Sequence, residues 1–265
     1  MKRIVLGLQY GGGPWQGWQT QSSGLTVQDQ LETALLKFSC STQHCHCAGR
    51  TDAGVHALEQ VVHFDTDIVR TDAAWVRGVN AFLPPSIAVR WATQLPATSP
   101  DGFHARFSAR ARTYHYLLYN HPVRAPLLVG RVGWVFRPLD VNAMQQAADL
   151  LIGTHDFSAF RAVECQAKSP LKTVRRIDMA RRGDMIVFTF EANAFLHHMV
   201  RNIVGSLVYI GTGKHPPSWM YELVAARERS LAAPTFMPDG LYLAKIDYDT
   251  RWALPQEPIS AAPWL

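Results

Sequence analysis

A short loop carries a base, a hydroxyl and an acid between two glycines, directly after an apparent strand. It runs from Gly49 through Arg50, Thr51 and Asp52 to Gly54. Because glycine lacks a Cβ, the loop can turn tightly and present the Asp52 carboxylate to a ligand, with the planar Arg50 cation beside it. Aspartate and glycine are also the usual residues of an Asx-turn, in which Asp52 caps its own backbone. The residues alone predict either a catalytic carboxylate or a plain turn, and the turn is the more common of the two.

A helical pattern over residues 195–210 places one arginine at the border of its apolar face. The apolar stripe comprises Leu196, Met199, Val200, Ile203, Val204, Leu207 and Val208. Arg201 lies at the edge of this stripe, one turn from His197 and from Gly205. Its guanidinium should therefore be partly buried, at a point where a small residue lets another segment approach. A buried cation needs an anion, and we expect that anion to be Asp52. The alternative is an arginine whose head group reaches solvent.

Two tyrosines and an arginine alternate along a predicted strand. Arg112, Tyr114 and Tyr116 are two positions apart, so they share one strand face. Aromatic rings on a basic strand suit a platform for stacking RNA bases, although core packing is the ordinary fate of either tyrosine. Cationic side chains are dense around this strand, namely His104, Arg106, Arg110, Arg112, His121 and Arg124. This density favours a phosphate-facing surface that includes His104 and Arg106.

The run His44-Cys45-His46-Cys47, with Cys40 close by, invites interpretation as a metal site. In a strand, the two cysteines point to one face and the two histidines to the other, so each face offers only two ligands. The two-residue spacer of zinc knuckles is also missing. We therefore expect no metal here. The sequence also lacks a P-loop, a dinucleotide-binding fingerprint and a serine nucleophile elbow, so nucleotide hydrolysis and hydride transfer are not indicated.

The elements that must position these residues form two successive sets. Strands are predicted at 4–10, 61–64, 87–91, 114–120 and 185–192, and helices at 27–38, 72–82, 140–152 and 195–210. Two strand-helix-strand-helix units of similar length predict a duplicated α+β fold, made of two similar α/β subdomains whose antiparallel sheets join edge to edge.

These sets divide the chain into domains. We predict an N-terminal α/β subdomain over residues 1–97 that carries the Asp52 loop, and a C-terminal α/β subdomain over 98–248 that carries Tyr114 and Arg201. A tail follows at 249–265. The linker is placed at 96–100, where Pro, Thr and Ser replace periodic apolar residues.

Composition is that of a globular protein. Of the 265 residues, 48% are hydrophobic and 18% charged, and aromatic residues are spread from end to end, which excludes a low-complexity disordered chain. A net charge of +5 and a pI near 9.1 allow a polyanionic partner without requiring one. Four cysteines do not resemble the disulfide framework of a small secreted domain, and no apolar run suits a signal peptide or a membrane span. We therefore expect a cytoplasmic protein without membrane contact.

Together, the motifs resemble those of the TruA family of tRNA pseudouridine synthases. Gly-Arg-Thr-Asp-Ala-Gly-Val-His-Ala around Asp52 is similar to that family's catalytic motif, and Arg-Thr-Tyr-His-Tyr from Arg112 to its tyrosine motif. Phe-Leu-His-His-Met-Val-Arg-Asn-Ile-Val-Gly around Arg201 is similar to its third motif, and the order and spacing match. Two shorter stretches, at 103–108 and 155–158, are also similar, so the resemblance runs from about residue 2 to 248.

One segment departs from the family pattern. After the first strand the family usually has Tyr-Asp-Gly-Thr, whereas this chain has Tyr10-Gly11-Gly12-Gly13. The lost carboxylate and hydroxyl affect whichever contacts that loop makes with RNA or within the protein. Because the catalytic motifs are intact, we expect activity.

The resemblance implies the pseudouridine synthase fold, with helices on one face of the sheets and a central cleft for RNA. It implies cleavage of the glycosidic bond of uridine, rotation of the uracil and rejoining through C5, at positions 38, 39 and 40 of the tRNA anticodon stem-loop. No cofactor is needed. A homodimer in which one tRNA spans both subunits is also implied.

The resemblance assigns roles to individual residues. The implied catalytic residues are Asp52, Tyr114, which stacks on the flipped base and helps to move the C5 proton, and Arg201, which pairs with Asp52. Arg50 would assist the flipping of the nucleotide. The expected RNA-binding residues are Arg50, Thr51, Arg112, Tyr116, His104 and Arg106.

Three other functions are compatible with the residues. A synthase that acts on a different RNA would carry the same motifs, and a non-catalytic RNA-binding or folding module would keep the cleft without the chemistry. A glycosidase could use Asp52 as nucleophile, but most such enzymes need a second carboxylic acid in the site, and none lies in these motifs.

Overall fold

The structure is a computed structural model that describes residues 1–97 and 102–255. The described chain divides into two compact units. Unit 1 comprises Met1–Arg110 together with the described residues from Tyr242 onward, and unit 2 comprises Ala111–Leu241. Residues 98–100 of the predicted linker and 256–265 of the predicted tail lie outside the described residues.

The described residues form ten strands and five α-helices. In chain order these are β1 (Lys2–Tyr10), α1 (Val27–Ser39), β2 (His46–Cys47), β3 (His56–Thr66), α2 (Asp72–Asn80), β4 (Ile87–Pro96), β5 (Ala111–Asn120), β6 (Gly133–Val135), α3 (Val141–Asp149), β7 (Gly153–Asp156), β8 (Leu171–Arg182), β9 (Met185–Ala192), α4 (Met199–Gly211), α5 (Trp219–Ala226) and β10 (Leu241–Asp247). The prediction of a mixed fold of helices and antiparallel strands is confirmed. No helix among residues 1–97 and 102–255 combines the length and the apolarity that crossing a bilayer requires.

In unit 1 the strands lie in the order β4-β1-β3-β10, and β2 also pairs with β3. The pairs are antiparallel except that β10 runs parallel to β3, with Tyr242 opposite His56. Thr26 precedes α1 and Thr71 precedes α2. The side chain of each threonine accepts a hydrogen bond from a backbone N–H of the first helical turn, which is the usual helix cap. Trp75 of α2 is fully buried, with its ring 5.3 Å from that of Phe38 and 5.4 Å from that of Phe64. This contact helps to fix both helices on the sheet.

The C-terminal segment completes unit 1. The backbone N–H of Arg110 donates to the Asp247 carbonyl at 2.8 Å, and the Tyr248 hydroxyl donates to the Ala105 carbonyl at 2.6 Å. The ring of Trp252 packs edge-on against Phe103 at 5.4 Å. The boundary of the compact unit therefore falls at Arg110, and the described residues of the predicted tail pack within unit 1.

In unit 2 the strands lie in the order β5-β9-β8-β7, all antiparallel, and β6 runs parallel to β5. The Asp140 side chain accepts from the Ala143 N–H and caps α3, as its position in the sequence predicts. The core contains the stacked rings of Phe188 and Phe190 on β9. Helix α4 packs against α3, and its predicted apolar stripe is buried throughout.

Helix α4 begins four residues later than its periodicity predicts. His198 has a left-handed backbone, with φ at 62°, which a continuous right-handed helix cannot accommodate. The residues before it follow a different path, in which the His197 carbonyl accepts from the Ala162 N–H at 3.1 Å. Leu196 is therefore buried beside the helix without being part of it.

Candidate functional site

The loop of Asp52 is a turn closed by its own main chain. The Val55 N–H donates to the Asp52 carbonyl at 3.1 Å, and Gly54 adopts a φ of 80°, which glycine accepts without strain. Asp52 is half-buried, and Arg50 is exposed. A backbone hydrogen bond that does not involve the carboxylate therefore closes the turn.

Side chains from β1 and β3 hold the loop at its start. Gln60, which is fully buried, donates through Nε2 to the Gly49 carbonyl and accepts from the Gly49 N–H at 3.4 Å. The hydroxyls of Tyr10 and Thr51 are hydrogen-bonded at 2.8 Å. Thr51 is only 6% exposed, so its hydroxyl faces the interior of unit 1, and this does not fit the RNA contact predicted for it.

The segment after β1 lies directly against the same loop. The Trp18 N–H donates to the Thr51 carbonyl at 3.0 Å, and the Gly54 N–H donates to the Trp15 carbonyl at 3.3 Å. A Cβ on Gly17, whose φ is 87°, would lie 2.8 Å from the Thr51 carbonyl oxygen. We call this segment, residues 11–18, the brace. Analysis of the sequence did not predict it, and its only sequence signal is the dense run of glycines and tryptophans.

The glycines of the brace differ in what surrounds them. A Cβ on Gly12 would lie 2.0 Å from the Val55 carbonyl oxygen, whereas a Cβ on Gly11 or Gly13 would meet nothing within 4 Å. The Gly12 N–H also donates to Nδ1 of His56 at 3.0 Å. Close approach to the Asp52 loop thus requires glycine only at position 12, the one residue of Gly11-Gly12-Gly13 that matches the family pattern, and the two departures fall where a side chain has room.

His104 and Arg106 lie in unit 1, on a tight turn between β4 and β5. Nδ1 of His104 accepts from the N–H groups of Arg106 and Phe107, at 3.1 and 3.3 Å. His104 is half-buried and Arg106 is exposed, so Arg106 has the accessibility that its predicted role requires.

The histidines and cysteines of the run 44–47 face different surroundings. Cys45 is buried, and burial raises the pKa of its thiol well above the usual range. His46 stacks on His63 of β3 with ring centroids 5.1 Å apart, while His44 is exposed. Exposed histidines therefore alternate with less exposed cysteines over residues 44–47, as expected for the two faces of a strand.

In unit 2, β5 carries the predicted tyrosine motif. Arg112 is half-buried and donates through Nη1 to the Asn193 carbonyl at 2.9 Å. Tyr114 is 8% exposed, and its ring packs edge to face on Phe195, with centroids 5.1 Å apart. Phe195 precedes α4, so the tyrosine motif and the third motif are in contact within this unit.

Tyr116 is part of the core of unit 2. It is fully buried, its hydroxyl donates to the Met237 carbonyl at 2.9 Å, and its ring lies 5.8 Å from Phe236. Burial raises the pKa of Tyr116 well above its usual value, so the hydroxyl remains a donor. The RNA contact predicted for Tyr116 does not fit, because a base cannot stack on a ring without exposed surface; of the two alternatives, core packing holds.

Arg201 is half-buried at the edge of the apolar stripe, as predicted. Its Nε donates to the Phe236 carbonyl at 2.8 Å, and the Phe236 N–H donates to the Arg201 carbonyl at 3.3 Å. A Cβ on Gly205 would lie 2.5 Å from the Pro234 carbonyl oxygen, so the small residue does admit a neighbouring segment. The same segment accepts hydrogen bonds from both Arg201 and Tyr116, through the carbonyls of Phe236 and Met237. No sequence motif indicated this segment.

Comparisons with known proteins agree with the motifs. A sequence model of the tRNA pseudouridine synthase family matches residues 147–249. The tRNA pseudouridine synthase A of Herminiimonas arsenicoxydans is 67% identical over 99% of this chain and 96% of its own length, and that of Janthinobacterium sp. (strain Marseille) is 65% identical over 99% and 98%. That of Burkholderia mallei (strain NCTC 10229) is 57% identical over 100% and 96%. The chain belongs to the TruA family of tRNA pseudouridine synthases.

Proposed function

We propose that this chain converts uridine to pseudouridine at positions 38, 39 and 40 of the tRNA anticodon stem-loop. As a member of its family it is an isomerase that acts on uridine in tRNA, and the choice of positions is the finer part of the proposal. The observation that carries the proposal is the loop of Asp52, which is held in place from three sides by β1, β3 and the brace.

The reaction breaks the C1′–N1 bond of the nucleotide, turns the uracil in the site and forms a C1′–C5 bond; the C5 proton leaves and N1 takes up a proton, so the product is an isomer of the substrate. Nothing is oxidised or reduced, and no water is consumed. Asp52, as an ionised carboxylate, either attacks the ribose carbon as the bond breaks or takes a proton from the sugar. Both routes need one carboxylate at a fixed position, which the supported loop provides.

Arg201 and Tyr114 complete the proposed chemistry. The guanidinium of Arg201 pairs with the Asp52 carboxylate and favours its ionised form, while the Phe236 carbonyl on Nε fixes the direction of the arginine. Tyr114 stacks on the flipped uracil and helps to move the C5 proton. Its contact with Phe195 supports this role, because the perpendicular packing of the two rings positions the tyrosine, which keeps 8% of its surface exposed.

The RNA-binding residues that we retain are Arg50, Arg112, His104 and Arg106. Arg50 and Arg106 are exposed cations that suit contacts with phosphate or with an extruded nucleotide. Thr51 and Tyr116 act instead as positioning residues, because their hydroxyls are bonded inside their own units. We further propose that the enzyme works in the cytoplasm as a homodimer that shares one tRNA.

Mapping of modified sites tests the proposed positions. Unmodified tRNA transcripts with uridine at 38, 39 and 40 are incubated with the protein, and pseudouridine is located by chemical labelling and primer extension. We expect label at those positions, and none in a matched transcript that has cytidine there and keeps all other uridines. Label elsewhere in the tRNA would contradict the choice of positions, and label only in another RNA would favour the rival synthase.

A matched pair of glycine variants tests the brace. We expect Gly12→Ala to slow pseudouridine formation about 10²-fold, because its Cβ must displace the Val55 carbonyl and a shift of about 1 Å at a catalytic group has an effect of that size. Gly13→Ala should leave the single-turnover rate unchanged, since its Cβ meets nothing within 4 Å. Equal rates for the two variants would show that the brace does not set the position of Asp52.

A further inference from the structure

A large aromatic ring stands on the surface of unit 1. Phe107 is 77% exposed, among the most exposed of the large apolar side chains in the described residues. Single apolar side chains are common on protein surfaces, so the exposure of this ring is informative only together with the groups that surround it. The packing within unit 1 does not account for the position of this ring, because the core lies elsewhere.

The turn that carries Phe107 is rigid. The His104 N–H donates to Oγ of Ser108 and the Ser108 N–H donates to the His104 carbonyl, both at 2.9 Å. Nδ1 of His104 accepts from two further N–H groups of the same turn. Four hydrogen bonds within five residues therefore fix the direction of the ring before any ligand arrives, which lowers the entropy cost of binding.

The ring of Phe107 packs against an imidazole that is itself in contact with two others. Its centroid lies 4.3 Å from that of His104, which in turn lies 4.6 Å from His63 and 5.4 Å from His46. We call Phe107, His104, His63 and His46 the ring cluster. Of the ring cluster, only His104 is in contact with Phe107, which keeps 77% of its surface exposed for a flat ligand.

Two histidines of the ring cluster, His63 and His104, are uncharged at neutral pH. Burial, together with the neighbouring imidazoles and Arg3, lowers the pKa of His63 to about 3 and also lowers the pKa of His104. Since Nδ1 of His104 accepts hydrogen bonds, the proton of the neutral ring is on Nε2. The guanidinium of Arg106 lies over the exposed ring, 5.8 Å from the centroid of Phe107. A neutral aromatic surface beside one cation fits a base with its phosphate better than it fits a phosphate alone.

The ring cluster is close to the catalytic loop along the chain. His46 belongs to β2, which pairs with His63 of β3 and leads directly into the Asp52 loop. His46 and Asp52 are six positions apart in the sequence, so their Cα atoms are at most about 20 Å apart. A few nucleotides of extended RNA span such a distance.

We propose that Phe107, backed by His104, is a stacking site for an unpaired nucleobase of the bound tRNA, a few nucleotides from the flipped uridine. The proposal rests on tRNA as the substrate of this family. In this proposal the turn has two roles: Phe107 stacks on the base, and Arg106 contacts the phosphate beside it. The stacking site does not discriminate between the four bases, since every base offers a flat aromatic face.

The test measures equilibrium binding of an unmodified tRNA transcript to the full-length protein. We expect Phe107→Ala to weaken binding about 5- to 100-fold, the range found for the loss of one stacked base. Phe107→Trp should bind at least as tightly as the unaltered protein, because the indole also stacks. Val69→Ala is the matched control, since Val69 is also in unit 1 and 71% exposed, and it should not alter binding.

Salt dependence separates stacking from contact with phosphate. Phe107→Ala should leave the slope of log K against log salt concentration unchanged, whereas Arg106→Gln should reduce that slope by about one. Unaltered binding by Phe107→Ala would overturn the proposal. A shift of Phe107→Ala from dimer to monomer in sedimentation would also overturn it, and would make Phe107 a subunit contact. Positions 38, 39 and 40 do not enter this binding test, so its failure is distinct from failure of the proposed positions.

Discussion

Replacing Asp52 with Asn is expected to reduce pseudouridine formation about 10²- to 10⁴-fold, the range for loss of a positioned acid or base, and further if the carboxylate attacks the ribose directly. The variant retains the shape of the side chain but cannot carry the negative charge. The backbone hydrogen bond from Val55 that closes the turn does not involve the carboxylate, so the loop should keep its conformation. The measurement is the single-turnover rate of C5 proton release from tRNA labelled at uridine C5.

Two controls give this result its meaning. Asp67→Asn removes a carboxylate from the surface of the same unit, 77% exposed, and should leave the rate unchanged. The tRNA affinity and the thermal midpoint of Asp52→Asn should match those of the unaltered protein. A normal rate for Asp52→Asn would remove the carboxylate from the mechanism. An unaltered protein that binds tRNA but forms no pseudouridine would instead support the non-catalytic module, and free uracil as product would support a glycosidase.

Replacing Arg201 with Gln is expected to give the second-largest effect. The residue is half-buried, and its Nε is already directed by the Phe236 carbonyl, so the guanidinium is oriented before substrate binds. Loss of the cation should raise the pKa of a paired carboxylate and release it from its position, and we expect a rate about 10²-fold lower. Arg201→Lys should recover only part of that rate, because an ammonium group lacks the planar fork of donors.

A double-mutant cycle tests whether Arg201 acts through Asp52. If the two side chains pair, the double variant Asp52→Asn with Arg201→Gln should lose far less activity than the product of the single losses. Arg137→Gln, an exposed arginine of unit 2, is the control and should leave the rate unaltered. Strictly multiplicative losses would show that the two residues act independently and would remove the proposed ion pair.

The pH dependence of the rate distinguishes a positioning role from a general loss of structure. If Arg201 pairs with Asp52 as proposed, its replacement in Arg201→Gln should move the acid limb of the rate profile to higher pH. A merely destabilised protein would lose rate at every pH without such a shift. The profile of Arg137→Gln should coincide with that of the unaltered protein.

Much of the site was encoded locally. The spacing of apolar residues placed Arg201 at the edge of a buried stripe, and Gly205 marked the point where another segment comes close. Helix caps such as Asp140 were equally visible, because a cap is set by residues three positions apart. The motif around Asp52 indicated a turn, and the turn is present. Each of these features depends on neighbours in the sequence.

Tertiary structure alone decided which of the predicted side chains are fully enclosed. Tyr114 and Tyr116 share a strand face and a residue type, yet Tyr116 is enclosed by Phe236 and Met237, which lie 120 residues or more away in the chain. Likewise, the hydroxyl of Thr51, for which a contact with RNA was predicted, is hydrogen-bonded to Tyr10, 41 residues away in the sequence.

The sequence by itself thus determined the order and type of most elements and the family to which the chain belongs, because periodicity, turn chemistry and motif spacing are local features of the chain. It did not determine the brace, the return of β10 to β3, or the exposure of Phe107. Those features depend on pairings between distant segments, which are selected by the sum of burial and backbone hydrogen bonding over a whole unit rather than by any local pattern.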